Sequence, residues 1–253
     1  MTTTAPTTAP TTAPTRPSPD LMRRRARIAG MLYLLTFVSI PALGLYKPVK
    51  DDVGAFLLGA GSDTGVMVGA LSEVVIGLAG ISTAVVLFPV LKRQNQSAAL
   101  GIVTARLVET SLIFVGAVSM LTIVTLRTDV VGTTGTDPAS LLTTGHTLVA
   151  VYTWTFLLSQ SLMPVFVDLL LGYVLYRSGL VPRLLPLIAF VGAPLLLASD
   201  LAIFFGVYEN VSPLALVAAV PVAVFELSFG VYLIVKGFKP GAVAALQAGQ
   251  AVR

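Results

Sequence analysis

The sequence predicts an all-α protein, a polytopic membrane bundle of six transmembrane helices with both termini cytoplasmic. Three observations lead there. Of the 253 residues, 55% are hydrophobic and only 11% are charged, and the mean hydropathy is +0.90, whereas about a quarter of the residues in a soluble domain are charged. The apolar residues gather into six long runs separated by polar stretches. The lysines and arginines stand at the ends of those runs, not along the basic stripe that a nucleic-acid-binding face requires.

Residues 1–22 carry TTAP three times in succession, a Thr/Ala/Pro composition with too little bulk to bury a core, and are expected to be a disordered tail. Arg23, Arg24, Arg25 and Arg27 follow, and the apolar run Ala26 to Tyr46 begins among them. Its 21 residues reach about 31 Å as a helix, enough to cross the hydrocarbon core. Ala42 and Gly44 would suit a signal-peptide cleavage site. An uncleaved first helix is favoured, because the run exceeds a usual signal-peptide apolar region and a long tail precedes it. Five further spans are expected at Val66–Val90, Leu100–Leu126, Leu148–Leu175, Leu184–Val207 and Leu214–Val235. Residues 23–240 thus form the transmembrane domain, and residues 241–253 a short cytoplasmic tail.

Six spans put both termini on one side, and the cations choose which. With the N-terminus inside, Arg16, Arg23, Arg24, Arg25, Arg27, Lys92, Arg93, Arg177, Arg183, Lys236, Lys239 and Arg253 are cytoplasmic, against Lys47, Lys50 and Arg127 outside. The two long outer loops, "KPVKDDVGAFLLGAGSD" and "RTDVVGTTGTDPASLLTTGH", are expected to be mobile, and Asp51 and Asp52 to lie in a solvated turn.

Six ionisable residues fall inside these spans: Glu73, Arg106, Glu109, Asp168, Asp200 and Glu226. Counted at 1.5 Å per residue, Arg106 and Asp168 lie about 9–11 Å from the cytoplasmic boundary, with Glu109 and Glu226 at about 14 Å. They are expected to form one buried polar cluster. Glu73 and Asp200, about 10 Å from the other boundary, are expected to form an outer polar layer with His146 and Arg127 at nearby helix ends. Gly69 and Gly77 flank Glu73 at four-residue spacing, Gly101 and Ala105 precede Glu109, Gly172 follows Asp168 and Gly230 follows Glu226. Each acid therefore shares a helix face with small residues that permit close packing.

Arg106 and Glu109 are i and i+3 on one helix surface, and Arg106 is the only cation deep enough to meet three acids. An unpaired charge in hydrocarbon is costly and a paired one much less so, which makes the arginine the expected hub. One arginine against Glu109, Asp168 and Glu226 leaves the layer net negative when all are ionised. Pro164, Pro194 and Pro221 precede Asp168, Asp200 and Glu226 by four to six residues and are expected to bend their helices beside the acids.

Function has two readings. Intramembrane ionisable groups point to transport or binding of a small molecule or ion, a proton included. The alternative is a non-catalytic scaffold or partner subunit, in which the charges are structural and the small-residue faces bind a partner membrane helix or a second copy. The lipid bilayer is the surrounding partner in either case, and no nucleic acid is expected. An enzyme is the least supported class and would need a chemistry run by carboxylates alone: there is no Cys and one His, and neither a Gly-x-Ser-x-Gly elbow nor a phosphate-binding Gly-rich loop. No catalytic residue, metal or cofactor is expected. Tyr33, Tyr46, Tyr152, Trp154, Tyr173, Tyr176, Tyr208 and Tyr232 lie mostly toward run ends, as an aromatic belt would.

Several stretches also carry a resemblance. "ARIAGMLYLLTFV", "VLFPVLKRQNQSAALGIVTARLVETSLIFVG", "LLLGYVLYRSGLVPRLLPLIAFVG" and "FELSFGVYLIVKGF" resemble the bacterial membrane proteins grouped as domain of unknown function 4386 (DUF4386) over roughly residues 24–240. The most specific parts are Arg106-x-x-Glu109, the run Leu175 to Arg183, and the ending from Glu226 to Phe238. Asp168 and Asp200 stand where the family pattern is mainly apolar. The resemblance implies a six-helix domain in the bacterial plasma (inner) membrane and brings no activity with it.

Overall fold

A computed structural model describes residues 19–37, 41, 43–130 and 137–250. The expected tail up to Ser18, the cleavage position Ala42, the centre of the second outer loop at residues 131–136 and the terminal Arg253 lie outside the described residues.

The described residues are helical, with no strand among them. Helix α1 is Pro19–Thr36, so the four residues at the end of the expected tail are helical. A 3-10 turn, Leu43–Tyr46, and two short helices, α2 at Lys47–Asp51 and α3 at Val53–Leu57, follow. The long helices are α4 at Asp63–Leu91, α5 at Gln96–Thr125, α6 at Pro138–Phe156, α7 at Met163–Ser178, α8 at Leu184–Phe204 and α9 at Pro213–Val235. A last helix, α10 at Pro240–Gln250, occupies most of the expected C-terminal tail.

The helix starts follow from local chemistry. The side chains of Ser62, Asn95, Asp137 and Ser212 each accept a hydrogen bond from a backbone N–H in the first turn of α4, α5, α6 and α9. Pro138 and Pro213 sit at the first helical position, where a missing N–H costs nothing. Gly179, at φ +65°, ends α7 in the left-handed region that a side chain disfavours.

Among the described residues, five helical stretches are long and apolar enough to cross a membrane: Asp63–Leu91, Gln96–Thr128, Pro138–Ser178, Leu184–Phe204 and Pro213–Val235. The third is 41 residues long and joins α6 to α7 through a π-helical stretch, Leu157–Leu162. Pro164 explains the wide turn. It offers no N–H, and the N–H of the preceding Met163 bonds to the carbonyl of Leu158, five residues back, so the ladder is rerouted without a break. The expected first span differs. Its described helix stops at Thr36, and Leu43–Tyr46 forms a 3-10 turn instead of the end of one helix reaching from Ala26 to Tyr46; Pro41 lies between them and cannot donate to a helical ladder. With five charged residues among its first nine, α1 also falls short of the composition of the other five.

Although short, α1 closes the bundle. It packs between α4 and α9, and the contacts continue from α4 to α5, from α5 to α6 and α7, and through α7 and α8 back to α9. The helices approach closely where glycines meet backbone. A Cβ on Gly30 would lie 2.6 Å from the carbonyl oxygen of Gly230, and one on Gly192 would lie 2.9 Å from the Val222 nitrogen. Leu71, Leu78 and Val85 of α4, Leu107 and Val118 of α5, and Val217 and Val224 of α9 are exposed on the outside of this ring. A bundle that is apolar outside as well as inside is built for lipid contact.

The outer segment corrects the expectation of a mobile loop. Tyr46, Val49, Val53, Phe56 and Leu57 are buried with Val66, Met120 and Tyr152 in one apolar cluster. Asp52 accepts from the Ala55 N–H at 2.8 Å and caps α3. Arg127 fastens the segment from the other side, donating to Asp63 Oδ1 at 2.9 Å, to the Gly59 carbonyl at 2.9 Å and to the Ala60 carbonyl at 3.2 Å.

Candidate functional site

The inner cluster assembles from α1, α5, α7 and α9. Helix α5 turns Arg106 and Glu109 inward together, since i and i+3 share one face. Arg106 Nη1 donates to both carboxylate oxygens of Glu109, at 2.8 and 2.9 Å. Arg106 Nη2 donates to Glu226 Oε1 of α9 at 3.3 Å and to the Tyr33 hydroxyl of α1 at 3.2 Å. The guanidinium also lies 5.5 Å from the Tyr33 ring centre. Arg106 is 5% exposed and Glu109 7%, so these charged hydrogen bonds form where little water competes for them.

Asp168 belongs to the same neighbourhood by charge and not by bonding. It is fully buried on α7 and interacts electrostatically with Glu226, Arg106 and Glu109. Neither of its carboxylate oxygens has a hydrogen-bond partner among the described residues.

The outer group does not form a single layer. Glu73, 3% exposed, accepts from the Tyr46 hydroxyl at 2.9 Å, the Tyr152 hydroxyl at 3.1 Å and Gln160 Nε2 at 3.0 Å. Its hydrogen-bond donors are thus neutral, and the nearby cation is Lys50, whose ammonium lies 5.6 Å from the Tyr152 ring centre. Asp200 accepts a short hydrogen bond from the Ser161 hydroxyl through Oδ1, while its buried Oδ2 has no partner among the described residues. Arg127 serves the outer segment, and His146 is exposed on α6. The four residues expected together therefore occupy four separate settings, because depth along a helix says nothing about which way a side chain points around it.

Tyr33, Tyr46 and Tyr152 also depart from the expected aromatic belt. They are 1–2% exposed and serve the buried charges, whereas Trp154, Tyr173 and Tyr176 do lie on the outside. Gln160 and Ser161 escape any reading that counts charges alone. Their signal is "FLLSQSLMPVF", a polar tripeptide inside an apolar run just before a proline.

A cavity of about 200 Å³ opens onto the inner cluster, with Arg106, Glu109 and Glu226 on its wall. Gln160 and Ser161 of the π-helical stretch line it as well, so the residues that hold Glu73 and Asp200 face the same space as the inner acids. Among the described residues no three His, Cys, Asp or Glu side chains converge in a way that could hold a metal ion.

Apolar helices of membrane-spanning length around a polar centre define a helical membrane protein. Residues 28–237 match the family described as Domain of unknown function (DUF4386), and the chain belongs to that family. No match was found among curated proteins or among solved structures.

The geometry around Glu73 predicts the effect of losing one donor. Tyr152→Phe should destabilise the protein by about 1–2 kcal/mol, because the ring still packs while a buried carboxylate loses a hydrogen bond. Thermal melting in detergent checks it, with the exposed Tyr173→Phe as a control that should melt with the wild type; equal melting of both variants would contradict the assignment.

Proposed function

We propose that this protein binds a small molecule or ion in the cavity beside Arg106, Glu109 and Glu226 and carries it across a bacterial plasma membrane. The observation that supports this reading is the cavity itself: a space of about 200 Å³ whose wall includes two of the buried acids and their shared arginine. A cluster kept only to fix helix register needs no such space, since the interior of a folded protein closes around groups that bind nothing. The π-helical stretch beside the cavity is a second support, since such bulges gather at functional sites.

A scaffold that docks a partner helix or a second copy ranks behind. The small-residue faces it would use are already occupied, for Gly69 packs on Tyr46, Gly77 on Thr110, Gly101 on Leu170, Gly172 on Ala189 and Gly230 on Leu34 of this same chain.

In the proposed topology the first apolar run of the sequence makes a sixth crossing, with both termini cytoplasmic, as the distribution of lysines and arginines favours. A reporter fused after Arg253 should be active in its cytoplasmic form, and one inserted after Gly135 in its external form. The opposite pattern would overturn the orientation.

The binding role predicts that Glu226 is retained for something other than folding. Glu226→Gln should melt at or above the wild-type temperature in detergent, since Arg106 keeps Glu109 and Tyr33 while a surplus negative charge is removed. A Glu226→Gln variant that melts well below the wild type would instead favour the structural reading.

A further inference from the structure

The hydrogen-bonding state of the cavity wall narrows what can occupy it, and this inference rests on the binding role proposed above. Gln160 spends one of its two amide N–H groups on Glu73, and no described residue donates to its amide oxygen. Ser161 spends its hydroxyl proton on Asp200, which leaves the hydroxyl lone pairs. Glu226 receives Arg106 at Oε1, while its Oε2 has no partner among the described residues. Both terminal nitrogens of Arg106 are already engaged by Glu109, Tyr33 and Glu226. The outer acids thus consume the Ser161 proton and one of the two Gln160 N–H groups, and acceptors prevail among what these two and Glu226 keep: the amide oxygen, the hydroxyl lone pairs and a carboxylate oxygen, against one amide N–H.

Charge points the same way. One guanidinium stands against Glu109 and Glu226 on the wall and against Asp168 behind it, whose two buried oxygens have no partner among the described residues. A ligand that completes this site brings hydrogen-bond donors and positive charge. Apart from Thr36, the rest of the wall is apolar, with Ile76, Ile113, Leu196 and Val222, which suits a hydrocarbon body and not a bare metal ion, whose ligands would be oxygens on most sides. The volume of about 200 Å³ exceeds the roughly 150 Å³ of a cavity that holds benzene, so the occupant has on the order of five to nine non-hydrogen atoms.

We propose that the cavity binds a small organic ammonium ion, with the ammonium between Glu226, Gln160 and Ser161 and a short apolar body against Leu196 and Val222. Benzylammonium and n-butylammonium are suitable probes, with benzyl alcohol, n-butanol, butyrate and inorganic ammonium as matched controls. Titration calorimetry on the full chain in nanodiscs at pH 7 should show saturable binding of both organic ammonium ions, and weaker or no binding of every control. Glu226→Gln should weaken that binding about tenfold or more, as loss of a buried charge partner does. Leu196→Phe, which fills the cavity without touching a charge, should abolish it even if Glu226→Gln proves difficult to prepare. Butyrate or the alcohols binding in place of the ammonium ions would overturn the ligand class while leaving the binding role intact. Ammonium binding that survives both substitutions would place the ligand elsewhere and overturn the proposal. No saturable binding by any probe would remove the ammonium proposal and its foundation together.

Discussion

The arrangement depends on one cation in a low-dielectric interior. A guanidinium at the depth of Arg106 is costly unless each of its donors finds an acceptor, and water is not there to supply them. Glu109 supplies two from the same helix, Glu226 one from α9, and Tyr33 one from α1. Three helices that are far apart in sequence must therefore meet at one side chain. This gives α1 a reason to be in the bundle although its described helix is short and charged at its start: its Tyr33 is needed at the guanidinium, and the contact between Gly30 and Gly230 lets it approach α9 closely enough to deliver it.

The second polar centre solves the same problem with neutral hydrogen-bond donors in place of an ion pair. Glu73 is held by two tyrosine hydroxyls and an amide, so its oxygens are satisfied by neutral donors from the outer segment, α6 and the π-helical stretch. Tyr46 reaches it only because the segment before α4 folds into a turn and two short helices that bury its ring. The π-helical stretch then links the two centres. Its wide turn, forced by Pro164, presents Gln160 to Glu73 and Ser161 to Asp200 while both residues face the cavity that ends at Arg106. A straight helix at this point would advance successive side chains by a regular step and could not be assumed to place both pairs.

Much of this is legible in the sequence, for identifiable reasons. Apolar runs set the positions of α4, α5, α8 and α9 because long hydrophobic stretches leave few alternatives, and the i, i+3 spacing of Arg106 and Glu109 is by itself enough to pair them. Depth adds Glu226 to that pair, and in the structure Glu226 lies 3.3 Å from Arg106. Depth fails for Glu73, Asp200, Arg127 and His146, whose surroundings differ although the count along their helices groups them. In the outer segment the glycines and aspartates suggest a loop, although Val49, Val53, Phe56 and Leu57 recur at helical spacing and are the better guide. The tyrosines mislead because a ring near the end of a run suits a lipid interface and a buried carboxylate equally well. Only the tertiary fold separates the two.

The central claim is that Arg106 organises the bundle by compensating buried acids. Melting temperatures in detergent for the wild type, Arg106→Gln, Glu109→Gln and the double variant test it most directly, because the cycle isolates the coupling between the two residues. The account predicts that Arg106→Gln melts well below the wild type, having left buried carboxylates uncompensated, and that adding Glu109→Gln restores part of the loss. An Arg106→Gln variant as stable as the wild type, or a double variant whose loss is the sum of the two single losses, would contradict it.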